Sequence, residues 1–323
     1  MNRKKAALVS LPPAALLLFA LLSVCAKTVS AQGQSWSHIQ TLALGEKPAT
    51  LNALFYDGET LWVVGAKGLI MRSDDDGSSF HTVESRLDTG LNDVFVKDKR
   101  IWMVGDEGKM LRSTDGGASF VKNVYVSHRN AEAKSLDLYS VQFVDKNHGY
   151  IVGDQGLILS STDGGLSWEE LPSGTSAQLF HLAFRGKRGW VVGSAGTILH
   201  SDDKGKNWYP EKPATTQDLN RITMVSDDVG FISGNNGVMF RTDDGGATWQ
   251  RVNINSKESL FGMSFLDKRV GWVVGYKGTI FRTSDAGHEW IQQPASTTAD
   301  LFSIQMYASR GFAIGRGGVV LRY

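Results

Sequence analysis

Six aspartates, Asp75, Asp115, Asp163, Asp203, Asp244 and Asp285, recur in one local context. Each stands two residues after a Ser or Thr and two before a Gly, with Phe or Trp closing the phrase. A carboxylate so placed can accept backbone N–H bonds inside a turn, hold a cation, or serve as half of an acid/base pair. The glycine, free to take positive φ, favours the turn. Asp74-Asp75-Asp76-Gly77 resembles the start of a calcium loop but lacks the later bidentate Glu, so no metal is expected. These aspartates are therefore read as structural, each clamping a hairpin.

The hairpins belong to a repeat. Aromatic-x-Val-Gly and its variants begin at Trp62, Trp102, Tyr150, Trp190, Phe231, Trp272 and Phe312, at steps of 40 or 41 residues with one of 48. That period with strand-like content predicts propeller blades. Each copy reads as four short strands: an inner Leu-x-x-apolar strand, the aromatic strand, a Gly-x-apolar-x-Arg strand and an outer strand after the closing aromatic. The seventh copy stops at Tyr323, before its outer strand, while Gly33-Gln34-Ser35-Trp36 carries the start of one. The fold expected is all-β, a seven-bladed propeller of four-stranded antiparallel blades whose last blade is closed by the N-terminal strand. Closure removes free sheet edges.

Arg3-Lys4-Lys5 precede an apolar run at 14–26, and Val29-Ser30-Ala31 fits a cleavage site. Thirteen apolar residues are too few to span a bilayer, so residues 1–31 are expected to be a signal peptide and 32–323 the propeller. Lipidation at Cys25, in a loose lipobox, is the alternative. The address expected is periplasmic or secreted. Removal of Arg3, Lys4, Lys5 and Lys27 leaves 30 basic against 33 acidic residues, which argues against a nucleic-acid partner. Cys25 is the one cysteine, so packing rather than a disulfide must hold the domain.

Strand alternation places the starts of the inner strands and the loops between second and third strands on one face. Asn52, Asp93, Tyr139, Phe180, His181, Arg221, Phe261 and Phe302 should crowd that mouth, with Tyr276 and Arg316 in the loops around it. The longer junction at 127–135 should protrude there and offers Arg129. These residues are the expected partner-binding set; the alternative is that they merely fill and solvate the channel. Asp93, Asp106, Glu107 and Asp154 are the carboxylates that a glycosidase would need at the mouth. Arg72, Arg112, Arg241, Arg282 and Arg322 share the end of the third strand, with Ser160 and His200 in that position in two blades. They are expected to pair with turn carboxylates or carbonyls, a cationic docking ring being the other reading.

The turn resembles the Asp-box, or BNR repeat, of sialidases, other secreted glycosidases and non-enzymatic propellers. The wording of the whole repeat, as in Trp190-Val191-Val192-Gly193, Gly196-Thr197-Ile198-Leu199 and Ser161-Thr162-Asp163-Gly164-Gly165, resembles the photosystem II stability and assembly factor family. That resemblance implies a non-enzymatic, exported propeller without cofactor that helps membrane-protein subunits assemble. Its partners would be membrane or envelope proteins, with the chain a monomer and at most peripheral to the membrane. The Phe-Arg-Ile-Pro phrase of sialidases is missing, and neither a Gly-x-Ser-x-Gly elbow nor a phosphate loop occurs. A sialidase-like or other Asp-box glycoside hydrolase is the alternative.

Overall fold

The computed structural model describes residues 35–127, 135–211 and 215–323. The leader, Cys25, Gly33 and Arg129 therefore lie outside the described residues, as does nearly all of the junction at 127–135. Ser35–Tyr323 form one unit of seven four-stranded antiparallel sheets, with a small hairpin of Ala43–Leu44 and Lys47–Pro48. In the first blade the strands are Leu51–Tyr56, Leu61–Gly65, Ile70–Ser73 and His81–Thr82, in sheet order from channel to rim. Apart from the arginine that begins three of them, the second strands are buried along their length because both sheet faces meet neighbouring blades, which is why they read as largely apolar runs.

The seventh blade takes Leu301–Tyr307, Arg310–Gly315 and Val319–Arg322 from the C-terminal end and Ser37–Thr41 from the N-terminal end. Ser37 pairs with Arg322 and Thr41 with Val319. Trp36, 4% exposed, packs on Tyr323 at 5.2 Å between ring centroids. The seventh and first blades then meet directly: Leu54 N–H donates to Ser303 Oγ, and Tyr56 N–H to Gln305 Oε1 at 3.1 Å. The ring is closed as the split repeat requires.

Each recurrent aspartate ties its turn. Asp75 accepts the Ser79 N–H at 2.8 Å, the Ser79 hydroxyl at 2.7 Å and the Ser73 hydroxyl at 2.8 Å. Gly77 N–H donates in turn to Ser73 Oγ. The same pattern recurs at Asp115, Asp163 and Asp244. At Asp203 the carboxamide of Asn207 replaces the hydroxyl, and Asp285 keeps the bond from Glu289 N–H. Donation from Ser79, hydroxyl first and N–H second, lowers Asp75 to about 2; Thr248 does the same for Asp244. A carboxyl depressed in the folded state stabilises it above the ordinary carboxylate range and loses that contribution as pH falls toward 2. Stability in urea should therefore fall progressively from about pH 4 to pH 2, and Asp244→Asn should flatten that slope. A pH-independent midpoint across this window would contradict the clamp.

Blades are joined through aromatics. The aromatic opening each second strand lies against the turn glycine of the next blade: Trp62 on Gly117, Trp102 on Gly165, Tyr150 on Gly205, Trp190 on Gly246, Phe231 on Gly287 and Phe312 on Gly77. Trp272 meets Tyr323 instead. Each such ring buries on the order of 150–250 Å². The third-strand arginines lie beside these rings. Arg72 bonds Asp74 and the Gly116 carbonyl, Arg112 the Gly164 carbonyl, Arg241 Asp243, and Arg322 the Asp76 carbonyl. Arg282 lies over Trp272 at 5.4 Å, as Arg72 lies over Trp62 at 5.2 Å, and its Nε, like that of Arg241, has no hydrogen-bond partner among the described residues.

Candidate functional site

The mouth of the channel is built by one backbone irregularity used seven times. In every inner strand the ladder register slips after the first Leu: between Leu51 and Ala53, Leu91 and Asp93, Leu138 and Ser140, Leu179 and His181, Leu219 and Arg221, Leu260 and Gly262, Leu301 and Ser303. Each slip is a β-bulge that leaves one residue without a ladder partner and re-aims its side chain. The seven skipped residues are Asn52, Asn92, Tyr139, Phe180, Asn220, Phe261 and Phe302, and all seven line one depression of about 250 Å³.

The three asparagines bind blade to blade. Asn52 Nδ2 donates to the Leu91 carbonyl at 2.9 Å, Asn92 Nδ2 to Leu138 at 3.1 Å, and Asn220 Nδ2 to Leu260 at 3.0 Å. The four aromatics make a half-buried rim instead. Tyr139 meets Phe180 edge-on at 5.7 Å, and Phe261 meets Phe302 at 5.6 Å and Tyr276 at 4.7 Å.

Below the rim stand Asp93, His181 and Arg221, one position further along their strands. They line both the mouth and a second chamber of about 490 Å³ at the other end of the channel. Asp93 accepts the N–H groups of Val94 and Val141, both at 2.9 Å, and the Ser140 hydroxyl at 3.0 Å. Burial raises Asp93 against the pull of these bonds and of Arg221, and it lowers Arg221. Burial first, then the guanidinium of Arg221, push His181 well below its usual value, which favours the neutral imidazole. Arg221 Nε and His181 Nδ1 are buried without hydrogen-bond partners among the described residues.

The remaining mouth carboxylates are engaged. Asp106 accepts Gly90 N–H at 3.0 Å and Asn92 Nδ2 at 2.8 Å. Asp154 accepts the Tyr139 hydroxyl and Gln178 Nε2, both at 2.8 Å. Glu107 lies 3.6 Å from Lys109. Of the residues expected at the mouth, Asn52, Asp93, Tyr139, Phe180, His181, Arg221, Phe261 and Phe302 come together, Tyr276 flanks them, and Arg316 is held by Asp300 at 3.1 Å. Sequence reasoning missed the bulges and the amide bridges. The signal was present, since Leu-x-x-Leu spacing puts i and i+3 inside, which a regular period of two forbids.

A family model described as photosynthesis system II assembly factor YCF48 matches residues 126–212 and 246–323. No curated protein matches in sequence. Among solved structures, a YCF48 bound to D1 peptide aligns with a TM-score of 0.73 at 19% identity over 90% of this chain and 95% of that one. YCF48 from Cyanidioschyzon merolae aligns at 0.72 and 19% identity over 90% and 98%. An enzyme shares the architecture too: the Niastella koreensis GH74 structure aligns at 0.70 and 16% identity over 88% of this chain but 53% of that one. At these identities the likeness is one of fold.

Proposed function

This chain belongs to the photosynthesis system II assembly factor YCF48 family, and we propose that it is an exported, non-enzymatic propeller scaffold whose mouth holds a segment of a protein partner. The observation that carries this reading is the rim: aromatics set on bulges above carboxylates whose oxygens already accept hydrogen bonds. Aromatic edges with a few fixed polar groups suit a peptide, giving large contact area at little entropic cost. Glycosidic chemistry needs one carboxyl free to donate a proton and another facing it across the sugar. Asp93 and Asp106 belong to the second blade and Asp154 to the third; Asp93 and Asp154 bond across to the next blade, and Asp106 is held by Gly90 and Asn92 of its own.

One relative is described as bound to a D1 peptide. Carried to this chain, the likeness supports a client that is a membrane or envelope protein subunit. Export rests on Arg3, Lys4 and Lys5 before the apolar run and on Ala31 as the cleavage point, with a periplasmic monomer as the working form.

In the native envelope, a photo-crosslinking residue at Phe261 or Phe302 is expected to capture membrane or envelope proteins. The same residue at Leu166, exposed in a turn at the far end of the third blade, is expected to capture far less. Equal capture at both places would remove the mouth from the account. Hydrolysis of sialosides or β-glucan oligosaccharides that is lost in Asp154→Asn would instead make this an enzyme.

A further inference from the structure

The blades repeat closely enough that each is a control for the others, and the fourth departs from the pattern twice in the same place. Opposite the second-strand aromatic, the first, second, fifth, sixth and seventh blades carry an arginine; the fourth pairs Trp190 with His200. In the first and fifth blades the arginine meets a carboxylate two residues on, Arg72 to Asp74 at 2.7 Å and Arg241 to Asp243 at 2.6 Å. The fourth blade keeps that carboxylate as Asp202, facing the smaller His200 ring at 3.9 Å.

The second departure is on the outer strand. The residues whose N–H bonds the start of the third strand are Val83, Val252 and Gln293 in the first, fifth and sixth blades, and Glu211 in the fourth. A carboxylate thus stands where two other blades have an apolar side chain, largely buried and 3.4 Å from His200 Nδ1. The Trp190 face and the Gly245 carbonyl, which the pattern assigns to the missing arginine, are met by Arg188 from the second strand. What remains is a cleft of about 490 Å³ between the fourth and fifth blades, lined by His200, Asp202, Glu211 and Trp249.

We propose that this cleft is a receptor for an arginine side chain presented by a protein partner, whose guanidinium enters the space left beside Arg188, in the groove that the chain's own arginine occupies in five other blades, and pairs with Glu211 and Asp202. The chemistry of the occupant is set by the repeat itself. A guanidinium fits this groove in the sister blades, and a planar fork matches a carboxylate in two-point contact. Arg188 balances one of the negative charges, and the nearby Asp202 and Asp244 leave an acidic surplus.

Burial first, then Asp244 and Asp202, raise Glu211 to about 7. A bound cation favours the ionised carboxyl, so affinity should rise with pH through neutrality. His200, Asp202, Asp244 and Arg188 are the other charged or titratable groups around it.

The inference assumes that the chain binds a protein partner, but its test does not involve the mouth. N-acetyl-arginine amide is titrated onto the full chain while tryptophan indole and histidine signals are followed by NMR. Saturable shifts at Trp249 and His200 are expected, stronger at pH 8 than at pH 6, with N-acetyl-leucine amide inert. Glu211→Gln and His200→Arg should each weaken binding about tenfold, the factor expected from losing one charge-assisted contact. His200→Arg does so by filling the groove from within, and its melting temperature should not fall. Absence of saturable shifts, or affinity unchanged in Glu211→Gln, would overturn the proposal. Tighter binding of N-acetyl-lysine amide would overturn the guanidinium assignment. A mouth that fails to crosslink leaves these shifts unaffected, so the two readings fail separately.

Discussion

A chain lacking residues 35–42 should melt at least about 10 °C lower than the full one and aggregate as it does so. The segment supplies the outer strand of the seventh blade, and with it go two side chains that are almost fully enclosed, Trp36 and Leu42. Truncating one buried Trp costs about 3–5 kcal/mol and one buried Leu about 2–5 kcal/mol. Together these approach the whole stability of an ordinary domain, about 5–15 kcal/mol. The loss is also structural, because Val319–Arg322 becomes an edge strand with unpaired N–H and C=O groups. The Leu42 N–H bond to Gly318 disappears as well. Differential scanning fluorimetry with light scattering would check this. An unaltered transition would mean that the N-terminal strand decorates the ring without closing it.

The second large effect is expected at one glycine. Gly246 has φ +88°, and an added Cβ would overlap the Trp190 indole of the preceding blade. Left-handed backbone costs an L-residue about 1–2 kcal/mol, and overpacking a tight interface about 1–3 kcal/mol more. Gly246→Ala should therefore destabilise by about 2–5 kcal/mol. Trp190→Ala should cost about 3–5 kcal/mol by leaving a cavity. The double variant separates the two causes. With the indole gone the added methyl has room, so the pair should cost less than the two single losses combined. Additive losses measured by urea unfolding would show that backbone conformation alone makes the glycine necessary.

Much of this was legible in the sequence because repetition multiplies weak signals. One aromatic followed by Val-Gly says little, whereas seven at a near-constant step specify a ring. The shortfall of the seventh copy locates its missing strand at Trp36. Asp75 and its counterparts were legible as turn clamps from their spacing to Ser or Thr and Gly, from the missing bidentate Glu of a calcium loop and from the resemblance to the Asp-box. The amide bridges were not legible, because Asn52 bonds a carbonyl of the next blade and that partner depends on how two sheets stack. The same holds for the cleft at His200. The sequence marks the substitution, but only the packing shows Arg188 reaching across to the Gly245 carbonyl and leaving the groove open.

If the mouth holds a partner as proposed, the slipped residues also bear on how the protein changes partners over evolutionary time. On the proposed reading, Phe180, Phe261 and Phe302, which take no part in sheet pairing, can change with little risk to folding, whereas Tyr139 can lose its ring contacts only together with its bond to Asp154. Asn52, Asn92 and Asn220 lack that latitude, because each carboxamide also fastens a neighbour. Diversification among descendants should therefore concentrate in two arcs, the third and fourth blades and the sixth and seventh, while the intervening sectors stay fixed.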